Sequence, residues 1–133
     1  MKGINLNKNL IMIVDDSKFA REAYSMELEK KGYNVITAPD AETAFAIAKK
    51  EKPMYIFCDF HMEGLNGLDL CKMIREDDEL KDAIFVIITD KEVTEQQQAI
   101  DFHDLPDSWI NKHIGIDEFI ATMEKWIKMS RKV

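Results

Sequence analysis

The chain has 133 residues, 46% apolar and 32% charged, which is ordinary usage for one globular domain with a proper core. Its formal net charge of -7 argues against a nucleic-acid or anionic-membrane surface, since either needs a dense field of Lys and Arg. Cys58 and Cys71 have neither metal-site spacing nor the density of a disulfide scaffold, and the apolar stretch after Lys8 is too short for a signal peptide or a membrane span, so the expectation is a cytoplasmic protein with reduced thiols.

Leu10 to Val14 is an apolar run that ends on Asp15-Asp16 and reads as the first strand. Ser17 to Lys31 follows with Phe19, Ala20, Ala23, Tyr24 and Leu28 at helical steps, and Gly32 stops it. Tyr33 to Thr37 is a second short strand. Pro39-Asp40 opens a helix with Asp40 as N-cap and Ala41, Ala44, Phe45 and Ala48 along one face, and Pro53 closes it. Met54 to Cys58 is a strand running into Asp59; the loop from Phe60 to Gly67 carries two glycines, and Leu68 to Arg75 is the next helix. Ile84 to Ile88 is β-branched without alternation, as expected of a strand covered on both faces, and runs into Thr89-Asp90. Thr94-Glu95-Gln96-Gln97 has the pattern of a capping box opening a polar helix that ends near Phe102, with a thin apolar stripe that predicts mobility. Ser108 to Asn111 is the last strand. Ile116, Phe119, Ile120, Met123 and Ile127 define the final helix, near whose end Lys125, Lys128, Arg131 and Lys132 read as charge favourable to the helix C-terminus. Alternating elements with short connections predict a three-layer α/β domain with a parallel sheet and right-handed crossovers.

Parallel strands share their carboxyl edge, where open α/β sheets bind ligands. Asp15, Asp16, Asp59, Thr89 and Asp90 would therefore converge. Two carboxylates about 4 Å apart repel by roughly 4 kcal/mol at an effective dielectric near 20, and three close pairs approach the whole stability of a domain, about 5–15 kcal/mol. Partial protonation is one remedy; a bound divalent cation is the other, and oxygen ligands with room for water suit Mg²⁺. Taken singly, Asp16 or Ser17 reads as a helix cap, and Asp59 and Thr89 as loop polar groups at strand ends.

Asp15-Asp16 after the first strand, Asp59 after the third, Thr89 after the fourth and Lys112 after the fifth together resemble the receiver domain of bacterial two-component response regulators, over about residues 8–129. The resemblance implies a flavodoxin-like, doubly wound (βα)5 fold with strand order 2-1-3-4-5, and a stand-alone domain over 1–133 with no output domain. It implies that Asp59 is the phosphoacceptor, that Asp16, Asp59 and the backbone carbonyl of His61 bind Mg²⁺ directly with Asp15 acting through water, and that Lys112 and Thr89 meet the phosphoryl oxygens. The donor would be a sensor histidine kinase or a histidine phosphotransfer protein. Thr89 and Trp109 would form a switch that reshapes the surface of the fourth and fifth helices and fifth strand for an unidentified protein target. His61, Lys91 and Asp90 stand where the family tunes phosphoryl lifetime and access.

Glu63 and His113 stand where the family usually has proline, and Asp90 where it has a small residue. A cis peptide before a non-proline costs about 2.5–4 kcal/mol, so Lys112-His113 is expected to be trans. These differences motivate a second reading, a receiver-like binding module with weak or no phosphorylation. A Mg²⁺-dependent phosphohydrolase with an aspartyl nucleophile is the third, weakened because Asp15-Asp16-Ser17 lacks the Asp-x-Asp of haloacid-dehalogenase-like enzymes.

Overall fold

Three apolar runs lie side by side at the centre of a five-stranded parallel sheet. A computed structural model describes residues 6–90, 106–112 and 115–130. Its elements are β1 (Asn7–Val14), α1 (Lys18–Lys30), β2 (Asn34–Ala38), α2 (Ala41–Glu51), β3 (Pro53–Asp59), α3 (Gly67–Glu76), β4 (Ile84–Thr89), β5 (Ser108–Asn111) and α4 (Ile116–Ser130). The strand order is β2-β1-β3-β4-β5, as the resemblance implied. The helix read over 94–102, Lys91, residues 103–105, His113 with its bond to Lys112, and Arg131-Lys132 lie outside the described residues.

Two cores sandwich the sheet. Met12, Val14, Ile56, Cys58, Phe85 and Ile87 meet Ala41, Ala44 and Ala48 of α2 and Leu70, Cys71 and Ile74 of α3 on one face. On the other, Ile11, Ile13, Tyr55, Phe57, Val86 and Ile88 meet Leu28 of α1 and Phe119, Ile120, Met123 and Ile127 of α4. Successive side chains of a strand alternate between faces, so a strand buried on both sides needs an unbroken apolar run. Each large side chain so buried contributes about 1.5–3 kcal/mol.

Local chemistry sets the helix ends. Ser17 caps α1 by accepting the Ala20 N–H at 3.2 Å, and Asp40 caps α2 by accepting the Thr43 N–H at 2.7 Å. A reciprocal capping box opens α3, where Asn66 and Asp69 exchange side-chain-to-backbone bonds at 2.9 and 2.8 Å. Pro53 closes α2 as expected, the helix ending on its left-handed C-cap Lys52 at φ 53°, and β3 starts at Pro53 itself, one residue before the expected Met54, a position that needs no ladder N–H. Phe19, expected on the apolar face of α1, is 82% exposed, because the first turn of that helix stands beside the carboxyl edge of the sheet. There Phe19 lines a groove of about 200 Å³ with Ala23, Tyr24, Lys112, Ile116 and Phe119.

Candidate functional site

The strand register brings the polar residues that follow the apolar runs to one edge. Val14 pairs with Cys58, so Asp15 and Asp59 emerge from adjacent strands at the same level. Asp59 pairs with Ile88, one residue before Thr89, and Thr89 pairs with Asn111, one residue before Lys112. Oxygen atoms of Asp15, Asp16 and Asp59 all lie within 4.8 Å of one another. Lys112 Nζ stands 3.6 Å from Asp59 Oδ2. Asp15, Asp59 and Thr89 are buried, whereas Asp16 is exposed. With Ser17 serving as the helix cap, the choice between Asp16 and Ser17 for that role resolves to Ser17.

Main-chain groups shape this cluster. Ser17 N–H donates to Asp15 Oδ1 at 2.9 Å, and His61 N–H donates to Asp59 Oδ1 at 3.3 Å. Gly67 N–H donates to the Phe60 carbonyl at 3.0 Å. A Cβ at Gly67 would stand 2.9 Å from the Asp59 carbonyl oxygen, so only glycine lets α3 start this close to the acid loop.

The protonation energetics follow from crowding. Burial pushes the Asp59 carboxyl up to about 6, and the charge of Asp15 adds to this; the Lys112 ammonium, then the His61 N–H, pull the other way, and Asp16 pushes it up further. Asp15 is also raised, first by burial and then against the Ser17 N–H and the Lys112 charge. Two carboxyls raised together in one pocket carry a charge cost that a bound cation would offset. Three carboxylates offer only oxygen donors, which fits a hard divalent cation such as Mg²⁺.

Three neighbours carried no sequence signal. The Arg21 guanidinium donates to the Asp15 carbonyl at 2.7 Å and ties α1 to the end of β1. Burial raises the Tyr24 phenol, and the charges of Asp15 and Asp59 add to it. Phe60 packs against Trp109 at a centroid distance of 5.9 Å. A helix-period apolar residue, a lone arginine and a phenylalanine in a loop look alike wherever they fall, so none of Arg21, Tyr24 and Phe60 stood out.

At the rim, His61 Nε2 lies 3.7 Å from Asp90 Oδ1, and both side chains are well exposed. Trp109 is half-buried against the core that α2 and α3 cover. It follows Ile87 in register and so shares a sheet face with Thr89.

Comparison with known proteins agrees with this geometry. The chain belongs to the response regulator receiver domain family, whose profile matches residues 11–124. It is thus a receiver domain of two-component phosphorelay signalling, a class of signalling domain rather than of enzymes. The chemotaxis protein CheY-3 of Vibrio cholerae is 39% identical over 93 residues, 68% of this chain and 72% of that one. The alkaline phosphatase synthesis transcriptional regulatory protein PhoP of Bacillus subtilis is 39% identical over 71 residues, 53% of this chain, and the match spans only 29% of that longer protein. The structure of the response regulator TrrA of Thermotoga maritima in complex with Mg²⁺-BeF superposes with a TM-score of 0.74 at 26% identity, covering 88% of this chain and 97% of that one. Receiver domains bind Mg²⁺ at an acidic aspartate pocket of this kind. No described helix is long and apolar enough to cross a membrane.

Proposed function

We propose that Asp59 is the phosphoacceptor and that Asp15, Asp16 and Asp59 hold the Mg²⁺ that the transfer requires, with the His61 carbonyl completing the protein's share of ligands. The observation that carries this reading is the gathering of three carboxylates within 4.8 Å beside the Lys112 ammonium, 3.6 Å from Asp59. An Asp59 oxygen forms the new bond to phosphorus as the bond from phosphorus to the donor's imidazole nitrogen breaks, and the imidazole takes its proton from solvent. When bound, Mg²⁺ supplies positive charge to the equatorial oxygens of the transferring group. Lys112, 3.6 Å from Asp59, adds a second positive charge, and the Thr89 hydroxyl offers a hydrogen bond to the acquired phosphoryl group. Thr89 then moves toward that group and Trp109 moves inward on the same sheet face. The surface that changes recruits a protein target, and the phosphoryl group arrives from a histidine kinase or a histidine phosphotransfer protein in the cytoplasm.

Intact mass after incubation with Mg²⁺ and acetyl phosphate tests the acceptor role. One phosphoryl adduct is expected on the wild type and none on Asp59→Asn. No adduct on either protein, with a cognate kinase also supplied, would favour the binding module that the exposed Asp90 at the rim suggests.

A further inference from the structure

Phe60 directly follows Asp59, and its ring bridges the acid loop and the last strand. Its centroid lies 5.9 Å from that of Trp109 with planes inclined at 45°, and 4.8 Å from that of His61 edge-on. Aromatic pairs at these separations attract beyond the burial of their area. Phe60 and Trp109 are half-buried against the same core. The main chain of Phe60 is pinned on both sides, its N–H donating to the Ile88 carbonyl at 2.8 Å and its carbonyl accepting the Gly67 N–H at 3.0 Å. The ring therefore has a fixed base, between the strand residue preceding Thr89 and the first residue of α3. Trp109, in register with Ile87, stands on the sheet face shared by Thr89.

We infer that Phe60 is the positioning residue that couples the chemical state of Asp59 to Trp109. Its ring is the wall against which the indole rests, and the peptide bond between residues 59 and 60 carries any displacement of the acid loop to that wall. This rests on the phosphoacceptor reading of Asp59 and adds a route to Trp109 separate from the Thr89 hydroxyl. Thr89 sets where the strand end goes; Phe60 sets where the indole can go.

The chain has two tryptophans, so Trp126→Phe leaves Trp109 as the sole indole reporter. In that background, emission is recorded before and after Mg²⁺ with beryllofluoride for the parent, Phe60→Leu and Phe60→Tyr, and each protein's acetyl phosphate adduct is measured by intact mass. All three are expected to form the adduct, because the main-chain bonds of residue 60 survive both substitutions. The emission change persists in the parent and Phe60→Tyr and falls by about twofold or more in Phe60→Leu. An undiminished change in Phe60→Leu overturns the inference, as does a parent that forms the adduct without any change in emission. A parent without an adduct overturns the acceptor assignment instead. If Phe60→Leu is unfolded by circular dichroism, the unsubstituted protein decides. The nuclear Overhauser effect between the Phe60 ring and the Trp109 indole is expected to change in intensity on adding Mg²⁺ and beryllofluoride, and an unaltered one rejects the coupling.

Discussion

Asp59 is held in tension between burial and use. Its carboxyl titrates near 6, above the ordinary value of 3.8, so between those values the folded protein holds more protons than the unfolded chain and gains stability as pH falls. Above about pH 6 the charged form is penalised. Without Mg²⁺ at neutral pH, Asp59→Asn is therefore expected to stabilise the fold by on the order of 1–3 kcal/mol, a gain that disappears as pH drops toward about 4; thermal melts across that range measure it. The same protons compete with the metal. Mg²⁺ affinity, read by calorimetry, is expected to fall as pH drops through about 6, and a pH-independent affinity would separate Asp59 from the metal site. At this scale the sequence was informative where a polar residue ended an apolar run, as at Asp15, Asp59 and Thr89. It was silent on Arg21 and Tyr24, whose helix positions are unremarkable until the fold turns them toward the cluster.

The connection from β3 to α3 is tightly built. Gly67 admits no side chain because the Asp59 carbonyl occupies that space at 2.9 Å, and the Asn66–Asp69 capping box fixes the helix start. Gly67→Ala must push α3 and the acid loop apart, at an expected cost of about 1–3 kcal/mol. Phosphoryl adduct formation should slow with it, and unchanged melting and adduct kinetics would show the close approach to be tolerant. β1, β3 and β4 were legible because both faces are buried and their residues form unbroken apolar runs. Periodicity also located α1, α2 and α4, and the glycine-bearing loop marked α3, yet spacing misjudged Phe19, since it reports which residues share a face and not whether a sheet lies beneath them. The capping box at Asn66 was overlooked because its Asp at the third position departs from the usual Glu or Gln pattern.

For the molecule as a whole, strand order is the property that local sequence does not encode. Hydrophobic pattern gave five strands and a layered α/β class, but the order β2-β1-β3-β4-β5 came only with the family resemblance, because neighbours in a sheet are chosen by long-range packing. That order is what makes the site: it sets β1 beside β3 and β4 beside β5, so an aspartate pair, an aspartate, a threonine and a lysine from remote parts of the chain share one edge. Among the described residues, α2 and α3 cover one face of the sheet and α1 and α4 the other, which leaves the site at the carboxyl edge and not beneath a helix layer. The central claim is that this edge delivers the phosphoryl group to Asp59. Peptide mapping of the protein treated with acetyl phosphate and Mg²⁺, after borohydride reduction of the aspartyl phosphate, locates the acceptor directly. The modification is predicted on Asp59 alone; its appearance on Asp15, Asp16 or a residue away from the cluster would contradict the account.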